Sequence, residues 1–303
     1  MVVTGVRVSS IAANAVADAL ALEAPLQVCL NGRPVLITMR TPGADEALVR
    51  GLLFTEGVVS ANAPWSYRET PATDDHPVTA TVELPDVYVC PGAFERWSRG
   101  SMAACGVCGQ RDFRPPGGQT GPLPPGAWLE AQRLPGLAEQ LTRAQQQYAA
   151  TGGSHGAAIF TLDGELLALG EDVGRHNAVD KAVGTLLITG RLAQGAVLLV
   201  SGRVSYELVA KAYVARLPFL AAVSAPSSLA VECGRRWGVT VIGFCRQGRA
   251  TVYSHWERVR WQGRPLVAPA PAAAALAAAA TATTPAPSGV AELYETLLEA
   301  PEA

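Results

Sequence analysis

The chain has 303 residues, of which 49% are hydrophobic and 17% charged, and a formal net charge of −2. That length and apolar content exclude an intrinsically disordered chain and suit one large domain or two unequal ones. The charge excludes general affinity for nucleic acid or an anionic membrane, so any anion site has to be local.

Residues up to about Ala24 read as a loosely specified start. Leu26 to Leu30 and Val35 to Met39 flank Asn31-Gly32-Arg33-Pro34 and predict a hairpin. Pro42 to Glu46 opens a helix that carries Leu48, Leu52 and Leu53 toward a core, with Gly57 ending it. Val78 to Leu84 alternates as a strand, and Gly117 to Gly126 reads as a linker or long loop. Trp128 to Ala150 has helical spacing, broken slightly at Pro135.

His155 to Thr161 and Glu165 to Leu169 surround Asp163-Gly164, the best hairpin signal in the chain. Then helices at Asn177 to Thr189, Ser205 to Arg216 and Ser227 to Trp237 alternate with strands at Ala196 to Val200, Phe219 to Val223 and Val239 to Phe244. The alternation predicts a layered α/β unit with parallel strands. Domain limits fall at 1–126, 127–265 and an Ala/Pro-rich tail at 266–303, where Val290 to Leu298 has the spacing of a short amphipathic helix. Cysteines without a regular framework and no secretory leader predict a cytoplasmic protein. The apolar run from Leu266 to Ala280 is broken by Pro269 and Pro271, so no membrane span is expected.

The chemistry gathers first at Ala104-Cys105-Gly106-Val107-Cys108-Gly109, where two thiols can share one tight turn among Arg96, Arg99, Arg111 and Arg114. Three other readings compete and rank lower: structural zinc, which lacks a second C-x-x-C; a thioredoxin-like dithiol, which usually opens a helix; and two buried thiols, which the flanking glycines and arginines disfavour. In layered α/β sheets the strand C-termini line the ligand crevice. Here they read Ser201-Gly202-Arg203, Ser224-Ala225-Pro226 and Cys245-Arg246-Gln247-Gly248-Arg249, small residues paired with arginines that grip anions.

Thr151-Gly152-Gly153-Ser154-His155 is either a helix cap or a backbone opened toward a ligand, with His155 pointing in. Glu171 to Lys181, with His176 at its centre, is the densest polar run in this half and reads as a site. His76 and His255 are expected at the surface or in packing, and Cys29, Cys90 and Cys233 as buried thiols.

With these residues in view, the sequence resembles the formate dehydrogenase accessory sulfurtransferase family, FdhD/NarQ, from the N-terminal hairpin to about Trp256. The motifs are Cys105 to Gly109, Thr151 to His155, Glu171 to Lys181, Ser201 to Arg203, Val223 to Ala230 and Gly243 to Arg249, in family order. The resemblance implies a cytidine-deaminase-like layered α/β fold with a smaller N-terminal α+β subdomain, acting as a homodimer. It also implies a sulfurtransferase that moves sulfur as a cysteine persulfide from a cysteine desulfurase to the molybdenum bis(guanine dinucleotide) cofactor required by formate dehydrogenase. Carried over, Cys105 bears the persulfide and Cys108 accompanies it. Phe244, Cys245, Arg246, Gln247, Gly248 and Arg249 match the guanine-nucleotide stretch, with Arg203, Ser224, His155 and His176 around it.

Ala103-Ala104 stand where the family often has small hydroxyl residues, and the tail after Leu266 lies outside the resemblance. A zinc deaminase needs H-x-E and P-C-x-x-C. His155-Gly156-Ala157 and Ala104-Cys105 lack the glutamate and the proline, which argues against deamination. The competing function is a chaperone that binds the cofactor or the dehydrogenase without transferring sulfur, its cysteines a redox latch or metal clip.

Overall fold

The computed structural model of the chain describes residues 1–10, 13–91 and 121–267. The start of the chain is more ordered than its composition suggests: β1 (Val2–Val8) and β2 (Ala13–Ala19) pair antiparallel along their whole length. Val2, Val6 and Val8 oppose Ala19, Ala15 and Ala13 on one face. Alanine is a poor strand former, so half of the alternation that would have marked a strand is muted in the sequence.

β3 (Ala24–Leu30) and β4 (Arg33–Arg40) form the expected hairpin. Its turn is only Asn31-Gly32, both at positive φ (48° and 73°), as a two-residue primed turn requires. α1 (Asp45–Thr55) follows and stops at Gly57, with φ of 67°. With β5 (Ser66–Thr70) and β6 (Val78–Glu83) the strands make a sheet ordered β4-β3-β6-β5. Leu26, Val28, Leu30, Ala80 and Val82 on its inner face pack with Leu48, Val49 and Leu53 of α1.

The second unit opens with β7 (Leu129–Glu130). Where the spacing predicts one helix there are two, α2 (Leu134–Ala144) and α3 (Gln146–Thr151), divided at Gln145. Pro135 starts α2 instead of breaking it, since a first-turn residue has no intrahelical N–H bond to lose. β8 (His155–Phe160) and β9 (Leu166–Asp172) form the predicted Asp163-Gly164 hairpin. Then come α4 (Arg175–Ile188), β10 (Val197–Val200), α5 (Tyr206–Val214), β11 (Phe219–Ala222), α6 (Ser228–Trp237), β12 (Thr240–Arg246), β13 (Arg249–Val252), β14 (Val259–Trp261) and β15 (Arg264–Pro265).

The large sheet is ordered β13-β12-β11-β10-β8-β9. It is mixed: β10, β11 and β12 are parallel as expected, while β8 and β13 run against their neighbours. One face carries Ala157, Ile159, Leu198, Val200, Leu220 and Val241 into a core with α4, α5 and α6. The other carries Ala158, Phe160, Leu199, Ala221 and Ile242 against Leu134, Leu137 and Leu141 of α2. The result is a mixed α/β fold in which helices cover both faces of the sheet.

The two units meet where α1 crosses α4. A Cβ on Gly184 would fall on the carbonyl of Ala47, and one on Gly51 on the carbonyl of Asp180, so each helix presents bare backbone to the other. Gly184→Ala should therefore cost about 1–3 kcal/mol through overpacking. A urea midpoint unchanged from the parent protein would show that the helices part without penalty.

Candidate functional site

Because β8 is antiparallel to β10, its first residue, His155, lies at the edge where the parallel strands end. Ser201 N–H donates to Gly156 O (2.9 Å), and Gly156 N–H returns a bond to Ser201 Oγ (3.0 Å). The loops leaving β10, β11 and β12 are stitched together there. Val204 N–H donates to Ala225 O (3.2 Å), Ser227 N–H to Val204 O (2.9 Å) and Phe244 N–H to Ser224 O (3.0 Å). Both loops then enter helices at this edge, α5 after Ser205 and α6 after Ser227, whose hydroxyl accepts from Ala230 N–H (3.2 Å). Helix N-termini bring unpaired N–H groups and positive dipole ends, which suit an anion.

Phe244 has φ of 56°, a left-handed conformation strained for a bulky residue, and the β12 register shifts between Gly243 and Arg246. Gly243 allows this close approach, since a Cβ there would sit 2.8 Å from Pro226 Cδ. The shift leaves Phe244 half-buried at the edge and turns Cys245 inward, 1% exposed, into the core facing α2. Burial pushes the Cys245 thiol up to about 12. Cys245, expected in the binding stretch, thus offers a ligand only its backbone. Gln247 and Gly248, at φ of 53° and 72°, form the β12–β13 turn, and Arg246 opposes Arg249 across it. Arg203, Arg246 and Arg249 are exposed, with no ion pair or side-chain hydrogen bond among the described residues.

His155 lies against Gly202, where a Cβ would stand 3.5 Å from its Nδ1. Burial lowers its pKa and the Arg175 charge lowers it further against an opposing pull from Asp172, so the imidazole is neutral near pH 7. His176, in the first turn of α4, places Nε2 3.9 Å from Glu207 Oε2 of α5. Both histidines stand at the expected edge.

Most of the polar run Glu171 to Lys181, which reads as a site in the sequence, is engaged in structural contacts. Glu171 accepts from Gln147 N–H and Tyr148 N–H (both 3.0 Å) and Ser154 Oγ (3.1 Å), and so caps α3. Asp172, fully buried, accepts from Lys181 Nζ (2.8 Å), Thr41 N–H (3.0 Å), Gly174 N–H (2.8 Å) and Asn177 Nδ2 (3.1 Å). Lys181 also donates to Thr41 O (2.7 Å), and Asn177 to Met39 O (2.8 Å), so this cluster pins the end of β4 to the second unit. Asp180 joins Lys211 (3.0 Å) and Thr55 (2.7 Å) in another pin to α1. Only Arg175 and His176 of the run remain for the crevice.

The Thr151-Gly152 turn has a structural explanation as well: Gly152, φ 65°, caps α3, its N–H bonded to Tyr148 O (2.7 Å). Cys233 is buried as expected, but Cys29 and Cys90 are only half-buried. His76 is exposed, while His255 Nε2 lies 3.2 Å from both Gly234 O and Arg235 O at the end of α6, a packing role.

Cys105 and Cys108, with Arg96, Arg99, Arg111 and Arg114, lie outside the described residues. The chain departs toward them from the first unit, where Val89 bridges Val59, and returns at Gly121, whose carbonyl accepts from Tyr213 Oη (2.5 Å) of α5. Among the described residues no group of three His, Cys, Asp or Glu is placed to hold a metal ion, and no helix is long and apolar enough to cross a membrane.

Fold and edge together define a mixed α/β protein whose strand edge carries exposed arginines beside two helix N-termini. A sequence model of the FdhD/NarQ family matches residues 21–260. The sulfur carrier protein FdhD of Mycobacterium tuberculosis is 42% identical over 254 residues, covering 80% of this chain and 92% of that protein. That of Thermoplasma acidophilum is 37% identical over 249 residues, covering 80% and 87%. A crystal structure from Desulfotalea psychrophila, described as a formate dehydrogenase accessory protein, superposes with a TM-score of 0.65 at 22% identity, over 86% of this chain and 99% of that one. The chain belongs to the FdhD/NarQ family. At the level of the family, its role is sulfur transfer in the maturation of formate dehydrogenase.

Proposed function

We propose that this chain takes sulfur from a cysteine desulfurase as a persulfide on Cys105 and passes it to the molybdenum bis(guanine dinucleotide) cofactor of formate dehydrogenase, which is its substrate. The Cys105 thiolate attacks the outer sulfur of the donor persulfide. A new S–S bond forms on Cys105 as the donor S–S bond breaks, and the electron pair leaves on the donor thiolate, so no external oxidant is needed. Cys108 is the second thiol of the same C-x-x-C motif.

The strand edge holds the nucleotide end of the substrate. The observation that carries this is the set of exposed Arg203, Arg246 and Arg249, without ion pairs among the described residues, on the edge that also presents the N-termini of α5 and α6. Strand spacing sets the ends of β10 and β12 about 10 Å apart, within the combined reach of two arginine side chains. Phe244 and Gly248 flank the arginines, Ser224 leaves room between them, and His155 and His176 border the far side. The neutral His155 adds a donor and an acceptor without adding charge. The helix-covered mixed sheet supports a cytidine-deaminase-like body behind a smaller α+β subdomain, divided near residue 126. In this reading the protein works as a homodimer in the cytoplasm.

Calorimetry with GDP tests the nucleotide half. Arg246→Ala combined with Arg249→Ala removes charge-assisted bonds worth about 1.5–3 kcal/mol each, so affinity should fall at least about tenfold. Affinity equal to that of the parent protein would place the nucleotide elsewhere.

A further inference from the structure

At the N-terminal end of α2, β7, β14 and β15 form a small sheet. α2 rises about 16 Å before reaching Gln145, whose side chain packs against Gly156 at the crevice edge, so the small sheet stands far from that edge. Trp128 is 44% exposed and Trp261 53% exposed. The Arg260 guanidinium lies 4.0 Å over the Trp128 ring, and its Nε is buried without a hydrogen-bond partner. Arg264 is exposed, and neither arginine has an ion pair among the described residues. A cavity of about 550 Å³ is lined by Trp261, Gln262, Arg264, Pro265, Leu266 and Val267. Exposed tryptophans beside unpaired arginines have the composition of a binding hot spot, and the occupant that fits is apolar on one side and acidic.

The chain supplies such a segment immediately downstream. Residues 268–303 contain Glu292, Glu295, Glu299 and Glu302 and no lysine or arginine. At helical spacing Val290, Leu293, Tyr294, Leu297 and Leu298 share one side. Glu295 lies about 60° around the projection from Leu298, at the border of that side. Trp261, Arg264 and the whole tail fall beyond the stretch matched to the family, which ends at residue 260.

We propose that residues 290–298 dock on this groove of their own chain, their apolar side against Trp128 and Trp261 and Glu295 toward Arg264. The intervening residues 268–289 are long enough to reach back, with a fully extended length of about 70 Å, and tethering raises the local concentration into the millimolar range. A contact of only about 100 μM affinity would then be occupied about nine-tenths of the time.

Digestion of the full-length protein with a glutamate-specific protease tests this. Cleavage at Glu292 and Glu299 should be about tenfold slower than in a free peptide of residues 286–303. Protection should shrink in 0.5 M salt, disappear in Arg260→Glu/Arg264→Glu protein of unaltered circular dichroism, and return when Glu295→Arg is added to Arg264→Glu. Cleavage at the free-peptide rate, or protection indifferent to both salt and charge reversal, overturns the proposal. Protection that fades on dilution assigns the groove to the tail of a second copy, which also overturns it.

Discussion

Cys105→Ala protein, charged by a cysteine desulfurase with labelled cysteine, is expected to retain no sulfane sulfur on the Cys105–Cys108 stretch, and formate dehydrogenase matured with it should lose at least about 99% of its activity. The size follows from the step itself: removing the nucleophile of a covalent transfer leaves nothing to form the new S–S bond. GDP affinity should stay at the parental value, because the side chains assigned to the nucleotide, Arg203, Arg246 and Arg249 at the strand edge, are untouched by the substitution. The division of labour makes the result informative in both directions. Full maturation by Cys105→Ala protein would favour a chaperone that binds cofactor without carrying sulfur. A parallel fall in GDP affinity would mean that the bend and the strand edge form one site.

What the sequence made legible was chemistry that acts over a few residues. Asn31-Gly32 announces a hairpin because a two-residue primed turn needs residues that tolerate positive φ, and Asp163-Gly164 announces the other, where a five-residue loop uses positive φ at Gly164 (90°). The strand-end arginines were equally visible, since α/β alternation fixes where strands finish. The re-phasing of β12 was not. Nothing in Gly243-Phe244-Cys245 states that Phe244 takes a left-handed conformation, and that conformation alone decides that Cys245 enters the core.

The run from Glu171 to Lys181 shows a different limit. Two acids, an arginine, a histidine and a lysine at a helix entrance have the same composition whether they bind a ligand or hold two units together. The partners that decide are Thr41, 131 residues before Asp172, and Thr55, 125 residues before Asp180. Only tertiary structure brings them into view. Both of the chain's lysines, Lys181 and Lys211, are used in these contacts, in a protein whose other basic side chains are arginine. A lysine ammonium is compact enough to be surrounded by a carboxylate and short-range oxygen acceptors in a buried space.

Lys211→Met should accordingly be among the most destabilising substitutions in the molecule. Lys211 is 3% exposed and donates to both Asp180 oxygens (3.0 Å each), to Thr55 Oγ1 (2.9 Å) and to Glu56 Oε1 (2.8 Å). Burial works against its charge, but Asp180 and Glu56 outweigh that and leave its pKa above the usual lysine range. Without the ammonium, fully buried Asp180 keeps one bond, from Thr55, and no cation. Breaking a buried pair from one side costs about 3–5 kcal/mol, a large part of the stability of a typical domain. The double change Asp180→Leu with Lys211→Met removes the stranded charge, so it should cost less than Lys211→Met alone, because two desolvation penalties vanish with the attraction they opposed. Chemical denaturation of both variants measures the order directly. Equal or greater loss in the double variant would mean that the pair contributes net attraction between α1, α4 and α5. Because this contact holds the first unit against the helix that also carries Arg175 and His176, Lys211→Met should loosen the crevice edge, seen as faster amide exchange at the start of α4 than in the double variant.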